Sequence, residues 1–341
     1  ETDFTDMTKK VYEIRYKFLP YMYTLLYKAH INGETVARPL FVEYPDDQAA
    51  RNIDEQFLWG SGLLVSPIIY QGETKLRYYL PNKNIGYLKN QRWYDTTGLQ
   101  IANDKLGWQV KDVDLNSIQL NLAGGHIFVN HEGMGVNLQD TIRNYNFSMI
   151  VTLDDFGDAA GEFYWDDLDS VIDSSYGDRN DFDFAKDHKY QLFLMDFEYS
   201  RRLTISSSHN TMSNSSSPYF LNSFHIHGLN FEEDFFNKIG YITLNGVRLD
   251  YLKEWTFQTD NKYRNSISID LSKNEELFID LSKIDDRNRV VIRIEDKENP
   301  EISSWRYDVS CLPESDVHDQ MNENTAEEEC LKRKCLKKLK F

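Results

Sequence analysis

From Met7 to Asn32 apolar residues recur at three- and four-residue steps: Val11, Ile14, Phe18, Met22, Leu25, Leu26 and Ala29. That spacing predicts one amphipathic helix. Thr8 is placed to cap its start and Asn32–Gly33 to stop it, since glycine suits the left-handed position after a helix. Pro20 lies inside the pattern and should kink the helix or split it in two. Arg38 precedes Pro39 and must be extended, so Val36–Tyr44 (VARPLFVEY) reads as a strand. Pro45–Asp54 is polar and acidic, a loop. Phe57–Ile69 is a second apolar strand region, in which Gly60 and Gly62 mark bends or close backbone approach.

After this stretch the period changes to two. Leu76, Tyr78 and Leu80 alternate, as do Ile118, Leu120 and Leu122, with turn clusters such as PNKN and TTG between runs. Trp93, Tyr94 and Trp108 supply bulk for a small sheet core, and Gly124–Gly125 breaks the pattern. A second β module runs from about Asn146 to Glu295. Phe147, Met149, Val151 and Leu153 alternate within it, and Ile242–Leu249 carries Asn245–Gly246, the pair a type I′ hairpin turn requires. Ile267, Ile269 and Leu271 are expected to face Leu277, Ile279 and Leu281 across a short turn, with Val290, Ile292 and Ile294 closing the set. Regular strand spacing of this kind suggests a sandwich. No helix of any length is expected after residue 60, and the opening helix–strand unit cannot bury both its faces by itself.

The 341 residues suffice for two or three domains, and 40% hydrophobic with 14% aromatic residues exclude global disorder. A formal net charge of −17 argues against nucleic acid and against an anionic membrane surface. A neutral ligand such as a sugar is compatible with it. No apolar run approaches the length of a membrane span, so no direct membrane insertion is expected, and no signal-peptide pattern is visible. The chain begins at Glu1 without a methionine and reads as a fragment or a processed product. All three cysteines, Cys311, Cys330 and Cys335, lie at one end, which is not the framework of a disulfide-held domain. Residues 314–341, ending in KRKCLKKLKF, read as a helical tail or disorder.

Candidate chemistry is sparse. Asp154–Asp155 and Asp166–Asp167 could be imagined as a glycosidase pair, but retaining hydrolysis needs two carboxyls about 5 Å apart. Neighbours on a strand point to opposite faces, so both doublets read as acidic loop edges. Asp178, Asn180, Asp181 and Asp183 offer hard oxygens for calcium but lack the glycine and terminal glutamate of an EF-hand. His225 and His227 share a strand face without a third ligand for zinc, and His126 and His131 read as surface or core-edge residues. No metal site is therefore assigned. GxSxG, HExxH and phosphate-loop patterns are absent. Asn146-Phe147-Ser148 and Asn214-Ser215-Ser216 are N-glycan acceptor motifs if the chain is secreted or lumenal, Asn214 being the better placed in its polar loop.

Four segments carry a resemblance. RYKFLPYMYTLLYKAHINGETVARPLF, DEQFLWGSGLLVSPII, RWYDTTG and GEFYWDDLDS, in that order over roughly residues 10–170, resemble the C-terminal half of a glycoside hydrolase family 31 α-glucosidase. Members of that family include the intestinal maltase-glucoamylase and sucrase-isomaltase type and the lysosomal α-glucosidase. The implied fold is mainly β. Residues 1–56 would be the end of a (β/α)8 barrel (one helix plus the last strand), 57–143 a proximal β-sandwich and 144–300 a distal one. Residues 301–341 would be a poorly structured tail, or a degenerate trefoil (P-type) segment in which Cys311 pairs with Cys335 and Cys330 is left over. Ala123 stands where the family has an arginine (LAGGHI for LRGGYI), and Leu168 where a glycine follows WDD.

The resemblance implies that the whole enzyme hydrolyses terminal α-linked glucose from oligosaccharides, with retention through a glycosyl-enzyme and without an organic cofactor. The family's catalytic aspartates lie in WxDMNE-type and GDN-type segments upstream of the matched region. This chain would hold no catalytic residue and would be inactive alone. Arg38 and Glu43 fall on the strand resembling the last barrel strand, where residues can line a site. Arg38 is read as structural, Trp59 and His30 as packing, and the substrate-binding residues stay unknown. The implied partners are α-glucoside oligosaccharides, through the full enzyme, and the rest of the barrel. The implied location is extracellular, cell-surface or lysosomal. The rival reading is a free-standing, non-catalytic β-sandwich module binding carbohydrate or a protein. Its 41 Tyr and Phe residues leave room for a sugar platform, but such a module has no use for the helix and the RPLF strand.

Overall fold

The architecture was obtained as a computed structural model, which describes residues 2–82, 91–96, 100–101, 106–114, 118–168, 188–199, 201–212, 219–229, 239–259, 265–285 and 288–296. All of these belong to one compact unit, Glu1–Glu298. Pro20 splits the opening helix, as its missing N–H demands. The pieces are α1 (Thr2–Lys17) and α2 (Leu19–Asn32), with Phe18 between them as a non-helical N-cap. The helix starts earlier than Met7, and Thr8 does not cap it: its hydroxyl donates to the Phe4 carbonyl one turn back, at 2.8 Å. Gly33 stops α2 in the left-handed region, its N–H reaching the Ala29 carbonyl. The buried stripe is Phe18, Pro20, Tyr21, Thr24 and Leu25, whereas Val11 and Leu26 of the expected apolar face are exposed.

The strand expected over Val36–Tyr44 is confined to β1 (Ala37–Pro39), after which Leu40–Glu43 closes one helical turn, α3. Burial explains the difference. Leu40 and Tyr44 are buried while Phe41 and Val42 are exposed, a four-residue spacing that a helical turn satisfies and a strand would not. β1 runs antiparallel to β2 (Phe57–Trp59), with Arg38 opposite Leu58.

Next come β3 (Leu63–Ser66), β4 (Lys75–Leu80), β5 (Trp93–Asp95), β6 (Gln100–Ile101), β7 (Gly107–Asp112) and β8 (Gln119–Ala123). They form a six-stranded sheet in the order β1-β2-β3-β8-β5-β6 and a separate pair, β4-β7. One face of the sheet packs on the pair: Leu58, Leu64 and Trp93 meet Leu76, Tyr78 and Leu80 in one core, which Leu40 and Tyr44 also enter. Trp108 is not part of that core. It is 47% exposed, with the Arg77 guanidinium 3.9 Å above its ring.

The remaining strands are β9 (His126–His131), β10 (Phe147–Thr152), β11 (Ala159–Asp166), β12 (Tyr190–Glu198), β13 (Arg202–Asn210) and β14 (Phe220–His227). They continue with β15 (Ile239–Leu244), β16 (Val247–Arg248), β17 (Trp255–Thr259), β18 (Asn265–Asp270), β19 (Ile279–Asp280) and β20 (Val290–Asp296). Their order is β16-β15-β20-β13-β12-β11-β9-β10-β14-β18-β17, with β19 beside β14. Residues from both ends, such as Ile242 and Ile294 on one side and Ile267 and Ile269 on the other, share one core with Phe193 and Phe163 from the middle. The sheet is therefore curled over its own apolar face, as in a sandwich.

Asn245 (φ 50°) and Gly246 (φ 86°) form the expected hairpin turn between β15 and β16. Two other readings change. β18 does not pair with the Leu277–Leu281 segment, since β19 pairs with β14 instead and Glu275–Leu277 is a 3-10 turn. A helix also occurs after residue 60: α4 (Leu138–Asn144), whose Asn137 side chain accepts the Asp140 N–H at 2.9 Å. That cap motif is a helix start signal hidden in a β-rich stretch.

Candidate functional site

The motif-bearing stretch Arg38–Pro67 sits where α2, the six-stranded sheet and the long sheet converge. Phe18, Tyr21 and Leu25 of the helical segment, Leu63, Leu120 and Leu122 of the first sheet, and Phe128 and Ile150 of the second form one core. Helix α2 reaches this wedge because residue 60 is glycine. A Cβ there would lie 2.6 Å from Leu25 Cδ2 and 2.7 Å from the Tyr21 hydroxyl, and φ is +58°. Tyr21 in turn donates to the Trp59 carbonyl at 2.9 Å, and Trp59 packs against the same core. His30, expected to pack, is exposed.

Beside the wedge, β1 and the loop before β2 line an open cleft of about 510 Å³, with Arg38, Phe41, Arg51, Asn52, Asp54 and Gln56 in its walls. Arg38 is committed within it. Its Nε and Nη2 donate to the Thr35 carbonyl (3.0 and 2.8 Å), Nη1 pairs with Glu43, and Nη2 lies 3.5 Å from Glu34. Glu43 is thus an ion-pair partner of Arg38. The arrangement fixes the RPLF backbone, and Gln56 continues the fixation by bridging Ser66 Oγ and the Tyr79 main chain.

The acidic doublets are tied into the structure separately. Asp166 Oδ2 accepts from the Tyr23 and Tyr164 hydroxyls (2.7 Å each) and from His188 Nε2 (3.1 Å), while Oδ1 accepts the Leu168 N–H at 2.9 Å. One carboxylate therefore anchors α2 to β11. Tyr27 stacks on Tyr164 with centroids 4.3 Å apart, and Thr24 Oγ1 accepts the Tyr164 N–H, extending the anchor. Burial, reinforced by Asp166, pushes the Tyr23 and Tyr164 hydroxyls far above the ordinary phenol range. Asp155 pairs with Arg92 at 2.6 Å, and Arg92 also donates to the Gly228 carbonyl. Asp154 Oδ1 accepts from Phe156 and Asp158 N–H groups as a turn former. Tyr94 adds a link to the same loop, donating to the Leu153 carbonyl at 2.6 Å, and burial raises its pKa to about 12.

The histidines divide. His126 Nε2 lies 2.9 Å from Ser61 Oγ at the turn between the two sheets. His131 is 1% exposed, stacked on Phe147, and burial lowers its pKa to about 4. His225 Nδ1 lies 3.2 Å from Ser268 Oγ. Among the described residues no three His, Cys, Asp or Glu side chains gather as a metal site would require. Ala123 is fully buried in β8, its carbonyl accepting from Thr152 Oγ1, and Leu168 adopts φ 59°, the region a glycine would favour. Asn146 is half-buried at the start of β10. Asn214, the Asp178–Asp183 group, Cys311, Cys330 and Cys335 lie outside the described residues. Sequence reasoning missed the Tyr23–Asp166–His188 anchor, whose members are up to 165 positions apart and carry no local signal.

Part of the chain is similar to known proteins. Residues 33–128 match the glycosyl hydrolase family 31 C-terminal domain. Over 171 residues, 48% of this chain, it is 39% identical to "Probable maltase-glucoamylase 2" of Homo sapiens. Over 174 residues it is 33% identical to the lysosomal alpha-glucosidase of Rattus norvegicus. The chain spans 6% and 18% of the lengths of these two relatives. Its fold is shared with the glucosidase II alpha subunit solved with bound Glc1Man2: the TM-score is 0.62 at 20% identity, over 82% of this chain and 28% of that one. Residues 33–128 are thus similar to the C-terminal domain of family 31 glycosyl hydrolases.

Proposed function

We propose that the chain is the C-terminal portion of an α-glucosidase that removes terminal α-linked glucose from oligosaccharides by a retaining mechanism, its catalytic aspartates lying upstream. The observation that carries this reading is the family 31 match over residues 33–128, the segment that joins α2 to both sheets. In this reading α1, α2 and β1 end a (β/α)8 barrel, residues 57–143 are a proximal and 144–300 a distal β-sandwich, and a tail with Cys311 and Cys335 follows. The exposed Val11, Tyr12, Leu26 and Ile31 are then covered by the rest of the barrel. Carbohydrate reaches the chain only as part of the whole enzyme, in a secreted, cell-surface or lysosomal setting.

Retaining hydrolysis needs a nucleophilic carboxylate and an acid/base carboxyl on either side of the scissile bond, held at the ends of different barrel strands. Here Glu43 is paired with Arg38, Asp155 with Arg92, and Asp166 sits under four donors. The chain alone is therefore expected to be inactive, and no organic cofactor enters the chemistry. The test is complementation, with maltose and an aryl α-glucoside as substrates. Turnover should appear only when an N-terminal family 31 barrel fragment bearing both aspartate motifs is co-expressed. Turnover by the chain alone that Glu43→Gln abolishes would overturn the reading.

A further inference from the structure

Two N-glycan motifs occur in the chain, and one of them, Asn146-Phe147-Ser148, lies where its structural setting can be read. Residue alternation along β10 puts Phe147, Met149 and Val151 into the core of the long sheet. Asn146, Ser148 and Ile150 therefore share the opposite face. At the Ile150 end this face is covered, because Ile150 joins the wedge with Phe128. At the Asn146 end it opens: Arg143, Asn144 and Tyr145 are exposed and Asn146 is half-exposed. The Asn146 carbonyl accepts the Glu132 N–H at 3.1 Å, so the backbone is fixed at the acceptor position.

The second half of the motif is in a different state. Ser148 is 4% exposed, opposite Asn130 of β9 on one side and Ser223 of β14 on the other. An N-glycosylation motif is recognised through the asparagine amide together with the hydroxyl two residues on. In the folded sheet that hydroxyl lies inside a strand paired on both edges, beyond the reach of a transferase.

We propose that Asn146 is an N-glycan acceptor, modified before β10 pairs with β9 and β14, so that folding then buries the hydroxyl that licensed the transfer. The donor is a lipid-diphosphate-linked oligosaccharide. Asn146 Nδ2 forms a bond to the sugar C1 as the C1–O bond to the diphosphate breaks. The lipid diphosphate leaves as an anion and the amide proton passes to the transferase's base. The glycan then stands at the open end of the β9–β10–β14 outer face and keeps that end from packing against another domain. This rests on the reading that the enzyme is secreted or lumenal, but its readout is the glycan and not glucosidase activity, so the two can fail separately.

The test is cell-free translation of the full chain behind a secretory leader in the presence of microsomes, followed by gel mobility with and without peptide N-glycosidase. Asn146→Gln and Ser148→Ala should each lose the same enzyme-sensitive step from the wild-type pattern, Ser148→Thr should keep it, and Asn214→Gln should leave it in place. Wild-type mobility in both Asn146→Gln and Ser148→Ala would overturn the site. For the timing, folded unmodified chain and urea-unfolded chain, diluted into detergent-opened microsomes, are compared. Only the unfolded chain should be modified at Asn146, and equal modification of the folded chain would overturn the claim that folding closes the motif.

Discussion

At the scale of single residues, two buried polar groups have opposite situations. His131 has neither ring nitrogen hydrogen-bonded, with Phe147 stacked on one side and the Trp165 ring edge-on nearby. Burial keeps it neutral down to about pH 4, whereas the same histidine in the unfolded chain titrates near 6.5. Between those values the unfolded state holds more protons, so this residue's contribution falls as the pH drops from about 6.5 to 4, by about 3 kcal/mol in all. The difference in unfolding free energy between wild type and His131→Phe, followed by urea titration, should shift by that order across this window and stay flat above pH 7. Asp166, by contrast, accepts four hydrogen bonds, three on Oδ2 and one on Oδ1. Tyr23→Phe should cost about 1.5–3 kcal/mol, the value of a hydrogen bond to a charged group, and should be non-additive with Asp166→Asn in a double-mutant cycle. Strict additivity would mean that the Tyr23 contact is incidental. The sequence shows Asp166 only as half of an acidic doublet. Its role depends on Tyr23, 143 residues earlier, and no local pattern encodes a contact of that range.

At the scale of elements, legibility follows how local the cause is. The break at Pro20, the stop at Gly33 and the turn at Asn245–Gly246 are dictated by backbone chemistry within a few residues, and all three are read correctly from the sequence. The strand expected over Val36–Tyr44 fails because tertiary burial of Leu40 and Tyr44 selects a helical turn. The pairing expected between the 267–271 and 277–281 segments fails because β14 offers both a partner, and strand choice is a long-range matter. The hairpin permits a clean test. A Cβ at Gly246 meets nothing within 4 Å, so Gly246→Val carries only the backbone penalty of a β-branched residue at positive φ. It should lower stability by more than about 1 kcal/mol, whereas Gly246→Asn should cost less because asparagine tolerates the left-handed region. Equal melting temperatures for the two variants would contradict the turn's role.

At the scale of the whole molecule, the sequence suggests modules joined end to end, while the described parts share a core where helix and both sheets meet. Period-two runs reveal that two β regions exist, and the quoted motifs carry a resemblance to family 31. Neither reveals that Phe128, at the start of the long sheet, packs against Phe18 and Tyr21 of the helical segment and shares a core with Leu63 and Leu122 of the other sheet. Contacts of this kind couple stabilities, because a residue buried by two sheets and a helix is exposed when any of the three detaches. The proposed proximal and distal sandwiches should therefore unfold together. Phe128 is fully buried, and truncating a buried phenylalanine costs about 3–5 kcal/mol. Phe128→Ala in the full chain should lower the calorimetric transition as a single cooperative event, with intrinsic fluorescence from Trp93 in the first sheet and Trp165 in the second reporting the same midpoint. Single-tryptophan variants retaining only Trp93 or only Trp165 separate the two signals. If the Trp93 transition moves while the Trp165 transition stays, the wedge is a passive contact between independent domains. If both move together, the helix pair and the two sheets are one folding unit, and an α2 displaced from the wedge would destabilise both sheets at once.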